Sequence, residues 1–142
     1  MRTIIKIIAV IALLLLAFDQ SRSVYKFDDN HYITVWKRLD NNCIITLDKH
    51  FSIFKPSQYI ETTNDNFITI VIDKQYGNSD FAVYSGQDKP VHIVGYKNID
   101  FYKNNKYDDF KKQYYENDNH KKNYMYFSID IKEKLISKFS EY

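Results

Sequence analysis

The sequence predicts an α+β domain in which a mostly antiparallel sheet of about five to six strands carries one or two late helices. Segments rich in β-branched and aromatic residues occupy the middle of the chain, whereas helical periodicity is clearest after residue 106. Strands first and helices late is the order typical of α+β domains with helices packed on one face of a sheet. The alternative architecture is a β-sandwich or small barrel closed by a C-terminal helix.

The N-terminus has the features of a secretory signal peptide. Arg2 and Lys6 precede an uncharged apolar run over residues 7–18. The Ser-Arg-Ser sequence at 21–23 then supplies small residues at the positions required for a cut before Val24. The sequence therefore predicts export of the protein.

This boundary divides the chain into a signal peptide over residues 1–23 and a single globular domain over residues 24–142. The full chain has 20 Lys and Arg against 18 Asp and Glu, and the signal peptide holds three of the basic and one of the acidic residues. The remaining domain is formally neutral, so it lacks the positive field that attracts nucleic acid. The alternative is an uncleaved N-terminal segment that anchors the domain in a membrane.

The strand pattern begins with a hairpin. Residues 32–37 and 43–47 are β-branched and aromatic, and Asp and Asn residues between them favour a chain reversal. Residues 67–72 are apolar at five of six positions, which predicts a central strand buried on both faces. Residues 81–84 and 91–94 follow as shorter strands. Three glycines lie nine residues apart beside the breaks between these strands, which predicts an antiparallel meander.

The C-terminal third predicts two helices separated by a strand. Residues 107–114 place aromatic side chains on one helical face, with acidic residues in the first turn and lysines in the last. Residues 124–129 predict a strand. Asp130 with Glu133 three positions later has the spacing of a capping box, and residues 131–139 continue with an apolar helical stripe.

Motifs for catalysis or metal binding are absent from the sequence. The four histidines lack partners at metal-ligand spacing, and there is neither a Gly-x-Ser-x-Gly elbow nor a phosphate-binding glycine loop. Cys43 is the only cysteine, so no internal disulfide forms, and its apolar neighbours predict a buried thiol. We therefore expect no catalytic residue, no cofactor and no metal.

The distinctive feature of the sequence is its 13 tyrosines, which exceed what a core of this size readily buries. In the C-terminal half they interleave with lysines, a pattern that can bind single-stranded nucleic acid, but nearby acidic residues dilute the charge. Tyrosine is also favoured at protein interfaces. The predicted protein-binding surface consists of Tyr96, Tyr102, Tyr107, Tyr114, Tyr115 and Tyr124.

These observations favour a non-enzymatic exported binding protein, periplasmic or secreted, whose partner is another protein. An inhibitor or an immunity-type protein fits this description, and nucleic acid does not. Two alternatives stay open. One is a small secreted hydrolase whose residues converge only in three dimensions. The other is an envelope component that contacts a membrane only through its uncleaved N-terminal segment.

Overall fold

A computed structural model describes residues 2–74, 80–116 and 124–139. Within these ranges an N-terminal helix is followed by ten strands and one late helix. The helices are α1 (Arg2–Gln20) and α2 (Tyr107–Tyr114), and the strands are β1 (Arg22–Lys26), β2 (Tyr32–Lys37), β3 (Asn42–Thr46), β4 (Tyr59–Thr63), β5 (Phe67–Asp73), β6 (Asp80–Ser85), β7 (His92–Val94), β8 (Asn98–Tyr102), β9 (Tyr124–Asp130) and β10 (Leu135–Phe139).

The strands form two five-stranded sheets. The first sheet has the order β1-β2-β3-β4-β7, and the second has the order β10-β9-β5-β6-β8. Neighbouring strands are antiparallel except for β6 and β8, which run parallel. The predicted α+β class with mostly antiparallel pairing is confirmed. The expected five to six strands in one sheet are instead ten described strands in two, a feature of the sandwich alternative.

A hydrophobic core lies between the two sheets. The first sheet contributes alternate residues such as Ile33, Val35 and Ile45, and the second contributes Ile70 and Phe127 from paired strands. Alternation of this kind follows from the two-residue period of a strand, which sends successive side chains to opposite faces. Burial of these apolar side chains holds the sheets together.

The predicted central strand is confirmed. β5 lies in the middle of the second sheet, between β9 and β6. Ile68, Ile70 and Ile72 face the shared core, while Val71 faces α2 on the other side of the sheet. The near-continuous apolar run of this strand therefore reflects burial on both faces.

The predicted helix over residues 107–114 is also confirmed. Asp108 and Asp109 lie in its first turn, where the helix dipole favours negative charge. Phe110 and Tyr114 are buried on its inner face, against the outer face of the second sheet. The late helix thus covers one sheet, as the sequence indicated.

The predicted meander is wrong after β6. β7 leaves the second sheet to pair with β4 in the first sheet, and β8 returns to lie parallel to β6. Gly95 directly follows β7 with φ 79°, and a Cβ atom there would lie 2.2 Å from the carbonyl oxygen of Ser57. Glycine is therefore required where the chain turns directly after β7, in close contact with the segment that precedes β4. Gly77 lies outside the described residues.

The predicted C-terminal helix is wrong as well. The Asp130 carboxylate accepts a hydrogen bond from the Glu133 amide at 3.1 Å, as a helix cap would, but this bond closes a turn. Lys134 then adopts φ 55° and the chain reverses. Leu135–Phe139 returns as β10 beside β9, so the apolar residues that suggested a helical stripe belong to a hairpin.

The helix α1 presents exposed apolar side chains from Ile4 to Leu15. A search of the described residues finds no helix with the length and apolar character needed to span a membrane. β1 starts at Arg22, so the predicted cut before Val24 falls inside a strand that pairs with β2. The signal peptide and its boundary stay predictions.

Asn66 joins the segments through which the chain passes between the sheets. Its side-chain nitrogen donates to Thr62 Oγ1 at 2.8 Å and to Ser85 Oγ at 3.1 Å, while its side-chain oxygen accepts from the Phe67 amide at 2.8 Å. Its carbonyl accepts from the amide of Ile131 at 3.3 Å. With only 1% of its surface exposed, Asn66 satisfies polar groups that water cannot reach.

Replacement of Asn66 by Ala will lower the free energy of unfolding by about 2–4 kcal/mol, because it leaves several buried donors and acceptors without hydrogen-bond partners. The matched control is Asn30→Ala in an exposed turn, which will change stability by less than about 0.5 kcal/mol. Urea unfolding followed by circular dichroism measures both. Equal stability of the two variants would contradict the role assigned to Asn66.

Candidate functional site

Five of the six tyrosines predicted to form a binding surface lie around α2, and the sixth lies elsewhere. Tyr96 packs edge-on against Phe81 at 4.8 Å and its hydroxyl accepts a hydrogen bond from the Leu47 amide at 3.1 Å. The others belong to the α2 aromatic cluster, whose neighbouring ring centroids are 5.0 to 6.0 Å apart. This cluster consists of Tyr84, Tyr102, Tyr107, Phe110, Tyr114, Tyr115, Tyr124 and Tyr126.

The inner members of the cluster fix its geometry. Tyr114 is buried and donates its hydroxyl to the Asp100 carboxylate at 2.9 Å. Burial and this carboxylate raise the pKa of Tyr114 well above its ordinary value. The Tyr126 hydroxyl donates to the Tyr114 carbonyl at 2.6 Å. These tyrosines therefore act as core residues that position the outer ones.

The outer members form a partly exposed aromatic edge. Tyr107 is 47% exposed, and Tyr102, Tyr115 and Tyr124 are half-buried. Burial raises the pKa of Tyr115 to about 12, so its hydroxyl is neutral at physiological pH. Each ring at this edge contacts another ring of the cluster, so little side-chain freedom is left to lose on binding.

A second exposed feature is the covering loop, residues 47–58, which connects β3 to β4 across the outer face of the first sheet. Thr34 Oγ1 donates to the Asp48 carbonyl at 2.7 Å and accepts from the His50 amide at 3.2 Å. Thr46 Oγ1 donates to the Gln58 carbonyl at 3.0 Å. Two threonines of the sheet thus hold both ends of the loop.

Arg22 of β1 holds the middle of the covering loop. Its guanidinium donates to the carbonyl of His50 at 3.2 Å and to that of Ser52 at 2.6 Å. The same group lies over the Trp36 ring, 4.3 Å from its centroid. A planar guanidinium can make these hydrogen bonds and stack on a ring at the same time, which an ammonium cannot.

The tip of the covering loop exposes apolar side chains. Phe51, Ile53 and Phe54 are 58%, 60% and 73% exposed. Lys49 and Lys55 flank them. The sequence did not predict this surface, because the pattern of residues 50–54 is compatible with both a strand and a loop. The available signal was three large apolar residues shortly before Pro56.

A cavity of about 120 Å³ lies at the base of the covering loop. Residues 46–50 and 56–58 line it together with Tyr96. His50 uses Nε2 to donate to the Phe54 carbonyl at 2.8 Å, and Asp48 accepts from the Lys49 amide at 2.7 Å. Both groups therefore serve the loop structure, which gives the hydrolase alternative little support here.

The other histidines occupy separate places. His31 Nδ1 lies 2.7 Å from the Asp28 carboxylate and its ring stacks on Phe27. Burial slightly opposes the charge of Asp28, but hydrogen bonds from the Asn30 amide and from His31 outweigh it and lower the pKa of Asp28. His92 is exposed on β7, and His120 lies outside the described residues. In the described ranges no three His, Cys, Asp or Glu side chains come together as metal ligands.

Cys43 is fully buried in the shared core, which confirms the prediction of a buried thiol. Burial raises the pKa of this thiol to about 12. The thiolate is the reactive form of cysteine, so the thiol is inert at neutral pH.

Comparison of the chain with protein-family models, with curated proteins and with solved structures finds no match.

Replacement of Arg22 by Ala or by Lys will release the covering loop, because neither residue reproduces the forked contacts to two carbonyls. We expect Arg22→Ala to lower the free energy of unfolding by about 1–2 kcal/mol and to speed proteolytic cleavage within residues 49–55. Arg22→Lys keeps the positive charge but lacks the planar guanidinium, and we expect it to be cleaved as fast as Arg22→Ala. Unchanged cleavage kinetics in both variants would show that Arg22 does not hold the loop.

The Cys43 thiol will resist alkylation by iodoacetamide at pH 8 in the native protein and react within minutes in urea. The physical reason is its burial and its pKa of about 12, which leave almost no accessible thiolate below pH 9. Mass spectrometry of samples taken over time measures the modification. Rapid labelling of folded protein would place the thiol at the surface instead.

Proposed function

We propose that this chain is a non-enzymatic exported binding protein that recognises another protein through the exposed edge of the α2 aromatic cluster. The observation that carries this proposal is the convergence of Tyr102, Tyr107, Tyr115 and Tyr124 around one short helix. Each is partly exposed while its ring is held by buried neighbours. The exported character rests on the signal-peptide features of residues 1–23.

The physics of tyrosine supports this use of the edge. A tyrosine ring offers a large apolar area and a hydroxyl that both donates and accepts hydrogen bonds, with only two side-chain torsions to fix. Residues of this kind dominate the binding energy of many interfaces. Rings already fixed by their contacts cost little further entropy when a partner covers them.

Both positively and negatively charged residues surround the edge, so it carries no large net charge of one sign. Lys106 pairs with Asp109 at 3.2 Å, and Lys111 pairs with Glu116 at 2.9 Å. An aromatic centre with a mixed polar rim is the usual anatomy of a protein–protein interface. It favours a protein partner over nucleic acid, which requires a concentrated positive field. A small domain that covers a partner's surface suits an inhibitor or an immunity-type protein.

The test is affinity capture with the purified chain from the native cell envelope, followed by calorimetry with the captured partner. Tyr107→Ala will weaken binding by about tenfold or more, because it removes the most exposed ring of the edge. Tyr107→Phe keeps the ring and will lose less binding affinity than Tyr107→Ala. Phe54→Ser, on the outer face of the other sheet, is the control and will bind normally.

Two outcomes would contradict this function. One is capture of a partner whose affinity is the same for Tyr107→Ala and the unaltered chain. The other is hydrolysis of a generic ester, peptide or glycoside substrate by the purified chain, with loss of that activity in a His50→Ala variant.

A further inference from the structure

The apolar tip of the covering loop has no role in the proposed protein interface. It lies over the outer face of the first sheet, whereas α2 lies on the outer face of the second. Phe51, Ile53 and Phe54 are adjacent along the chain and each exposes more than half of its side chain. Scattered exposed apolar residues are ordinary, but three at one loop tip form a patch that implies a partner surface.

The same loop is tied to the N-terminal hydrophobic helix. α1 ends at Gln20, and Arg22, two residues later, holds the carbonyls of His50 and Ser52. The carbonyl of Ser21 also accepts a hydrogen bond from the Lys37 amide at 3.0 Å. The end of α1 is therefore fixed at the edge of the first sheet, beside the covering loop.

The basic side chain of Lys49 lies beside the apolar tip of the covering loop. The Lys49 ammonium lies 5.2 Å from the Phe51 ring and 5.4 Å from the Tyr32 ring. Cationic groups placed directly beside exposed apolar side chains complement a bilayer surface, where acyl chains lie beneath anionic headgroups.

We propose that the tip of the covering loop inserts into the surface of an anionic lipid bilayer and works together with α1 in the chain that retains it. The apolar side chains enter the interface, and Lys49 remains at the level of the phosphates. Lipid is favoured over a protein partner because the loop is joined through Arg22 to a helix with exposed apolar side chains over residues 4–15. This contact does not involve the α2 aromatic cluster, and its share from Arg22 and α1 belongs to the chain that keeps residues 1–23, which the predicted cut before Val24 would remove.

This arrangement orients the molecule. The first sheet faces the membrane, and the α2 aromatic cluster, on the outer face of the opposite sheet, faces away from it. Loop insertion needs no helix that crosses the bilayer, because the interface itself accepts short apolar segments flanked by basic residues.

The experiment uses the full chain in vesicles made of phosphatidylcholine alone or with phosphatidylglycerol, with lipids brominated near the headgroup as quenchers. Phe54→Trp reports on the loop tip, and Leu135→Trp, another exposed apolar site on the second sheet, is the matched control. Trp36 is common to both, and its emission is subtracted with the unaltered chain. Thermal unfolding in detergent checks that each variant folds.

Phe54→Trp emission will shift to shorter wavelength and lose intensity in brominated anionic vesicles, while Leu135→Trp emission will not change. Adding Lys49→Glu to Phe54→Trp will reduce the quenching, and so will vesicles without anionic lipid. The proposal is overturned if Phe54→Trp stays as solvent-exposed as Leu135→Trp in both lipid mixtures. It is also overturned if Phe54→Trp is shielded only after envelope proteins are added, which would assign the loop to a protein partner.

Discussion

The fold depends on the buried amide of Asn66, where the chain crosses between its two sheets. Such a crossing forces backbone groups into the interior, and each must find a partner because water cannot reach it. Asn66 contacts the end of β4, the end of β6 and the turn after β9 through Thr62, Ser85 and Ile131. One side chain thus connects β4 of the first sheet with β6 of the second, and its hydrogen bonds satisfy the buried polar groups at this crossing.

The outer faces of the two sheets are covered by different elements. The second sheet receives α2, whose aromatic face extends the core outward until it ends in partly exposed tyrosines. The first sheet receives the covering loop, which is held by threonine hydroxyls and by Arg22. The apolar residues at the tip of this loop remain exposed.

Local patterns were enough to predict the first hairpin, the central strand β5, the helix α2 and the buried Cys43, because each depends on near neighbours. The division of strands between two sheets could not be predicted, since strand propensity does not say which partner a strand such as β7 will pair with. Asp130 and Glu133 show a further limit of prediction from local patterns. The hydrogen bond between them can cap a helix or close a turn, and here the chain reversal at Lys134 makes it a turn. Among the tyrosines, spacing indicated the group around α2. It did not show that Tyr96 packs on Phe81 and accepts a hydrogen bond from the Leu47 amide, away from that group.

The order of strand pairing has a kinetic consequence. β5 acquires its neighbour β6 locally, but its other neighbour is β9, so Ile70 must wait for Phe127 before the second sheet can close. Long-range pairing of this kind slows folding. Because the chain is synthesised from its N-terminus, its core stays open until nearly all of the chain has been made. In the proposed exported role, this delay would leave the chain unfolded while the transport machinery acts on it.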